Sequence, residues 1–427
     1  MERLIVSIEH NGEMIPAGFI SGNSSADSCF CYSMQYLHRE GSTPVSVSLP
    51  LQETPFSAAQ TRTFFEGLLP EGFTRRMVAQ WMHAAEDDYL AILHGLGREC
   101  LGALCITLDD ETTDASYERI SKKQVRELAA EGADRSAELV TRSHLSLTGA
   151  SGKAGLYYDS NADEWYLPRG NAPSTHIVKQ SHVRLEAIVT NEQLSLLTAS
   201  KCGIHVPESC IIKTGRSTED GEVLFATPRY DRIFPQNPVL INSLPRPLRL
   251  HQEDFAQAMG IPSTEKYEPA PRGYLRSMFE LLRRCSANPV ADQLQLWDNL
   301  IFNYLIGNTD AHLKNYSLLY GSNMRTIRLA PSYDIISTTV YEQSTKEMAL
   351  YIGDALSIDD ISRDSFRIAA KEIGLGDRMA MNHFDDMCKR FCPALHEAAA
   401  GLSATGFSNA AQIEARILES GGIRHHL

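Results

Sequence analysis

The sequence predicts an α+β chain with two lobes, a β-rich one followed by a helix-dominated one. Three observations carry this. Residues 143 to about 235 hold short strand-like runs, "HLSLTG", "AGLYYD", "EWYLP", "HIVKQ", "CIIKTG" and "VLFATPRYD", with one helix among them. Residues 252–284 and 290–306, and the chain from about 357 to its end, show helical periodicity. Segregation of strands and helices along a chain predicts separate layers or lobes. The 427 residues exceed one ordinary core, so two or three domains are expected.

Taken in order, residues 1–60 read as strands. "LIVSIEH" precedes "NGE", a hairpin turn, and "VSVSLPL" alternates strictly as a half-buried strand does. "AAQTRTFFEGLLPEGFTRRMVAQWM" reads as amphipathic helices interrupted at Pro70, and "GLGRECLGALCITL" as a glycine turn followed by a strand. Residues 116–142 are charged with helical spacing and are expected to form a connecting helix. "TNEQLSLLTASKCG" is the helix of the β-rich lobe, ending at Gly203.

Composition excludes several classes. Hydrophobic content of 43% with 22% charged residues describes a folded globular chain. The formal net charge of −13 argues against direct nucleic-acid binding, which needs a basic surface. No apolar run approaches the ~20 residues of a membrane span, and "MERLIVSIEHNGE" is too charged for a signal peptide. Nine cysteines without a CxxC pair point to reduced thiols and a cytosolic protein. Cys388 and Cys392, near His383 and His396, have the spacing of a packed helix rather than of a zinc site.

The stretch "DNLIFNYLIGNTDAHLKNYSLLY" (298–320) sets Asp310 and Asn315 on a polar hexad between apolar runs. Asp334 follows in "LAPSYDIIS". Alone, Asp310 reads equally as a helix cap and Asn315 as a turn residue. Upstream, however, "SLTGASGKAGLYY" (146–158) is a glycine-rich turn between strand-like runs, whose amides can cradle phosphates, although it is no Walker A motif. Lys179 lies inside the apolar strand "STHIVKQ", and Glu192 stands at the start of the neighbouring helix as its partner. Glycine turn, strand lysine, helix glutamate, Asp–x4–Asn and a later Asp is the order of a protein kinase. Transfer of a phosphoryl group needs one carboxylate at the attacking hydroxyl, and hard oxygen ligands for Mg²⁺.

With these residues in place, the chain resembles the HipA-type kinases, toxins of HipBA toxin–antitoxin modules. The resemblance is carried by "NTDAHLKNYSLL", "LAPSYDIIS", the long "HQEDFAQAMGIPSTEKYE" (251–268), "PRYDR", "STHIVK", "GRECLGAL" and "FFEGLLPEG". It implies a bilobal protein-kinase-like fold: an added N-terminal subdomain (1–115), a kinase N-lobe (116–235) and a helical C-lobe (236–427). It implies ATP and Mg²⁺, with Asp310 as base, Asn315 and Asp334 on the metal, and Lys179 on the phosphates beside Glu192. Thr148, Gly149, Ala150, Ser151, Gly152 and Lys153 would form the phosphate loop, which reads GASGKAG where many members have GAQEK. Pro228, Arg229 and Tyr230 would be the adenine-reading hinge; His312, Lys314 and Tyr333 would line the nucleotide. Ser146 aligns with the serine that members autophosphorylate. Partners implied are a protein substrate such as an aminoacyl-tRNA synthetase and a HipB-like helix-turn-helix antitoxin, with DNA met only through the antitoxin. A non-catalytic ATP-binding co-repressor is the rival reading; a small-molecule kinase is a third.

Overall fold

The computed structural model describes residues 3–108, 114–131, 152–181, 185–270 and 273–427. At the N-terminus, β1 (Leu4–His10) and β2 (Glu13–Ser21) form a hairpin. Its turn, Asn11–Gly12, has both φ angles positive, 52° and 87°. Only residues tolerant of the left-handed region make so tight a reversal. With β3 (Cys29–Tyr32) and β4 (Leu104–Leu108) they give an antiparallel sheet in the order β3-β2-β1-β4. Helices Ala58–Glu66, Gly72–Trp81 and Tyr89–Leu96 accompany it. The first starts at Ser57, which forms a capping box with Gln60.

"VSVSLPL" is not the expected strand. Residues 45–50 make a tight turn closed by a single Ser46–Leu49 bridge. Its polar groups look inward: the Ser46 hydroxyl and the Val47 amide donate to Glu253, and this outbids strand pairing.

The second sheet is antiparallel with order β5-β7-β6-β8-β10-β9. Its strands are β5 (Ser116–Ile120), β6 (Lys153–Asp159), β7 (Glu164–Arg169), β8 (His176–Gln180), β9 (Cys210–Lys213) and β10 (Val223–Pro228). Here 116–120 corrects the expected helix over 116–142. Tyr117 packs its ring 4.4 Å from that of Tyr157, and β5 takes the sheet edge beside β7. Helix begins only after Ser121, whose hydroxyl accepts from the Gln124 amide, and runs over Lys122–Glu131. The helix Ile188–Lys201 is buried along most of its length.

In the helical half, residues 252–284 are not one helical stretch. Gln252–Asp254 is a strand paired with Ser317–Tyr320. Asp254 then caps the short helix Phe255–Met259, which ends at left-handed Gly260, and helix resumes over Tyr274–Cys285. Pro289–Ile306 follows, stopped by left-handed Gly307. Arg363–Glu372, Asp377–Ala404 and Asn409–Ser420 complete this half. No helix among the described residues is long and apolar enough to cross a membrane.

One apolar core runs from Val6 and Ile8 of the N-terminal sheet, through Phe64 and Phe255, to Trp297 and Phe391 of the helices. Smaller cores pack around the six-stranded sheet. The N-terminal sheet is therefore fused to the helical half rather than tethered to it.

Buried charges strengthen that fusion. Glu99 accepts from Arg229 at 3.1 Å and from Arg232 and Arg249 at 3.0 Å each. Glu9 of β1 lies 2.8 Å from Arg249, and Asp231 lies 2.7 Å from Arg229. All six side chains are enclosed. Burial alone would raise the Glu99 carboxyl; Arg232, Arg249 and Arg229 hold it far below the usual range.

Candidate active site

The polar hexad is the loop that the left-handed stop at Gly307 releases. It secures itself by side chain–backbone bonds: the Asp310 amide donates to Asn308 Oδ1 (3.2 Å), and Asn315 Nδ2 donates to the Asp310 carbonyl (2.8 Å). With Nδ2 so engaged, the Asn315 amide oxygen is turned to the other side. Asp310 itself is an exposed residue; neither it nor Asn315 lines the cavity that holds Asp334, although Asp310 is close enough to feel the Asp334 charge. Desolvation raises the Asp310 carboxyl above the usual range, opposed by the hydrogen bond from Tyr267 and by Lys266. The Tyr267 hydroxyl donates to Asp310 Oδ1 at 2.5 Å.

The register of the second sheet sets Lys153 on β6 directly across from Lys179 on β8. Two ammonium groups side by side repel, so the pairing requires nearby anions. Asp334 supplies one: Lys179 Nζ bonds Oδ1, and Lys153 Nζ stands 3.7 Å from Oδ2. Glu192, from the buried helix Ile188–Lys201, supplies the other at 2.5 Å from Lys179 Nζ. Burial would raise Asp334, but the two lysines hold it well below the carboxylate range. Burial likewise opposes charge on Lys179, and Asp334 with Glu192 overrides it and keeps the ammonium protonated. Asp334 also adopts φ 53°, a left-handed backbone costly for a residue with a Cβ. Such strain concentrates at functional sites.

Behind this polar end lies a cavity open to solvent. Leu101, Ile177, Leu196, Pro207 and Phe225 wall its apolar part, and Lys153, Lys179, Glu192 and Asp334 its polar part. Tyr230 and Tyr333 lie on one side with rings stacked at 5.9 Å. An apolar slot ending in two lysines and two carboxylates suits a base that carries phosphates, although burial pushes Lys153 toward its neutral form.

The remaining expected positions distribute unevenly. Ser146, Thr148, Gly149, Ala150 and Ser151 lie outside the described residues; Gly152 precedes β6, Lys153 begins it, and both are buried. Pro228 and Tyr230 line the cavity. Arg229 does so through its backbone, since its guanidinium is enclosed against Glu99 and Asp231. His312 packs its ring edge-on to Tyr267 at 5.1 Å, and burial pushes it down to about 3, so it is neutral. Lys314 turns away from the cavity and donates to the Gly67 carbonyl at 2.7 Å. The Tyr333 hydroxyl donates to the Lys314 carbonyl at 2.9 Å. Sequence reasoning missed Tyr267, and also Glu71, which reaches this region from the N-terminal part. Their only signal was membership in "HQEDFAQAMGIPSTEKYE" and "FFEGLLPEG".

A β-rich lobe and a helical lobe, with a Lys–Glu pair and a strained Asp on one cavity and an Asp/Asn loop within electrostatic reach of that Asp, define a protein-kinase-like architecture. The sequence matches the HipA N-terminal domain over residues 12–107 and the HipA-like C-terminal domain over 145–395. It is 33% identical to the candidate kinase Y4mE of Sinorhizobium fredii, over 87% of this chain and 86% of that one. It is 27% identical to the serine/threonine-protein kinase toxin HipA of Shewanella oneidensis, over 86% and 82% of the two chains. The chain belongs to the HipA family. Its fold superposes on the Shewanella oneidensis HipA chain solved with HipB and operator DNA, with a TM-score of 0.79 at 23% identity, covering 99% of this chain and 97% of that one.

Proposed function

We propose that this protein is an ATP- and Mg²⁺-dependent serine/threonine protein kinase that acts as the growth-inhibiting toxin of a toxin–antitoxin pair. The observation that carries the reading is the meeting of Lys153, Lys179, Glu192 and Asp334 at the polar end of one apolar cavity. The donor set fits the implied groups. Asp334 and the Asn315 side chain offer hard oxygen ligands suited to Mg²⁺, and two lysines stand beside Asp334 for phosphate oxygens.

Bound Mg·ATP supplies the transferable phosphoryl group. The chain's own tasks are positional and electrostatic. Lys179, steadied by Glu192, and Lys153 neutralise phosphate charge. Asp310 orients the acceptor hydroxyl and takes its proton, while Tyr267 holds its Oδ1. Pro228, Arg229 and Tyr230 offer hinge backbone to adenine, with Tyr333 along its edge. Thr148 to Lys153 are the proposed phosphate loop. Ser146 is the proposed autophosphorylation site, where a dianion beside a phosphate-holding loop repels nucleotide.

A translation factor such as an aminoacyl-tRNA synthetase is the proposed target. A HipB-like antitoxin is the proposed partner, joining this chain to DNA, and the cytoplasm the proposed location. The HipA–HipB–operator complex of the structural relative supports the partnership. The test incubates the protein with Mg²⁺ and labelled ATP beside Asp310→Asn. Label on Ser146 that disappears in the variant supports the kinase. Bound nucleotide without label under any condition favours the co-repressor. Phosphoproteomics of cells expressing each form identifies the target.

A further inference from the structure

Among the described residues, the HipA N-terminal domain meets the catalytic loop at residues 67–71, where Gly67 and Glu71 reach Lys314. The helix Ala58–Glu66 ends at Gly67, which is packed so tightly that a Cβ would lie 2.9 Å from Gln257 Cγ and 3.0 Å from the Phe64 carbonyl. Gln257 Nε2 donates to that same Phe64 carbonyl at 3.0 Å, so the helix end is clamped to the helical half. From there the Gly67 carbonyl accepts the Lys314 ammonium.

Glu71, past Pro70, occupies the N-cap of the helix Gly72–Trp81. A serine, threonine, aspartate or asparagine at this position would cap its own helix. Glu71 makes no such bond. Its Oε2 accepts from Lys266, and its Oε1 lies 3.5 Å from Lys314 Nζ without a hydrogen-bond donor of its own. Lys314 is completed by Asp254 at 3.1 Å.

The two lysines flank the reacting groups. Lys266 precedes Tyr267, which holds Asp310, and its carbonyl accepts the Leu313 amide at 3.2 Å. Lys314 precedes Asn315. One carboxylate from the N-terminal domain therefore grips both segments that shape the loop.

We propose that Glu71 is a positioning residue for phosphoryl transfer: through Lys266 and Lys314 it fixes the segment bearing Asp310 and Asn315, and the active site is incomplete without the N-terminal domain. This rests on the kinase reading. A carboxylate that merely stabilised the fold would lower every property together. A positioning one acts on the chemical step and leaves the nucleotide-gripping face of the sheet intact.

The experiment uses the full chain as wild type, Asp310→Asn, Glu71→Gln and Glu71→Asp. Label transfer in wild type but not in Asp310→Asn establishes the kinase. Glu71→Gln is then expected to lower kcat by about 10–100-fold while KM for ATP stays within about threefold, with Glu71→Asp in between. Hydrogen exchange is expected to quicken at 309–316 in Glu71→Gln and to stay unchanged at 176–180. Unaltered kcat and exchange overturn the proposal, as does exchange that quickens equally in both segments. Should wild type transfer no phosphate, the kinase reading has failed; the exchange comparison still decides whether Glu71 fixes the loop.

Discussion

Raising the pH through neutrality should remove stability from this protein through one buried side chain, Glu253. It sits in the strand Gln252–Asp254 with about 1% of its surface exposed. Its oxygens accept from the Ser46 hydroxyl at 2.5 Å, the Val47 amide at 3.0 Å and the Tyr320 hydroxyl at 2.5 Å. No ion pair to it is found among the described residues, and burial outweighs the three donors, pushing the carboxyl up from 4.5 to about 7. The native state thus holds a proton that the unfolded chain releases nearer 4.5. Stability from this group is complete below the unfolded value and falls as pH rises to about 7, after which it is flat. That rise in the carboxyl's pKa corresponds to roughly 3 kcal/mol. Urea melts of wild type and Glu253→Gln between about pH 5 and pH 8 measure it, because glutamine keeps the shape and cannot titrate. Wild type should lose on the order of 3 kcal/mol relative to the variant across that range. Parallel pH curves for the two proteins would refute the reasoning.

Other expectations are equally direct. Lys179→Met should abolish transfer and also destabilise the nucleotide-free protein by about 3–5 kcal/mol, since Glu192 and Asp334 lose a shared buried cation; an unchanged thermal midpoint would contradict this. Glu99→Ala should cost a similar 3–5 kcal/mol or so by leaving Arg229, Arg232 and Arg249 short of an anion, read by denaturant melts. Tyr267→Phe removes a bond that lowers the Asp310 carboxyl, so the acid limb of the kcat/KM profile should move to higher pH; a stationary limb counts against Tyr267 acting on Asp310. Chelating Mg²⁺ should stop labelling yet leave the nucleotide-free melting curve unchanged, as the proposed metal ligand Asp334 is already neutralised by Lys179 and Lys153 in the metal-free chain.

The sequence made the candidate site legible through order. Asp310, Asn315, Asp334, Lys179 and Glu192 each sit where a short local pattern makes them stand out, and a kinase needs them in that succession. What stayed hidden was set by pairing at a distance. That Lys153 faces Lys179 depends on sheet register, which neither strand encodes alone. Glu9 in "LIVSIEH" and Glu99 in "GRECLGAL" look like surface charges, because burial of an acid shows only when its arginines arrive from residues 229–249. Strict alternation in "VSVSLPL" was defeated by the pull of Glu253, two hundred or so positions later. The helical reading of 252–284 failed because Asp254 starts a new helix and Gly260 stops it five residues on.

The enclosed salt network constrains how such a gene can be rearranged. Its acids Glu9 and Glu99 come from the opening portion, whereas Arg229, Arg232 and Arg249 come from the far side of the second sheet. Exchanging residues 3–108 for those of a distant cousin would strand cations without counterions unless the grafted piece brought its own acids to the same spots. Recombination at that seam therefore selects for matched halves, and the two inherited segments must travel together.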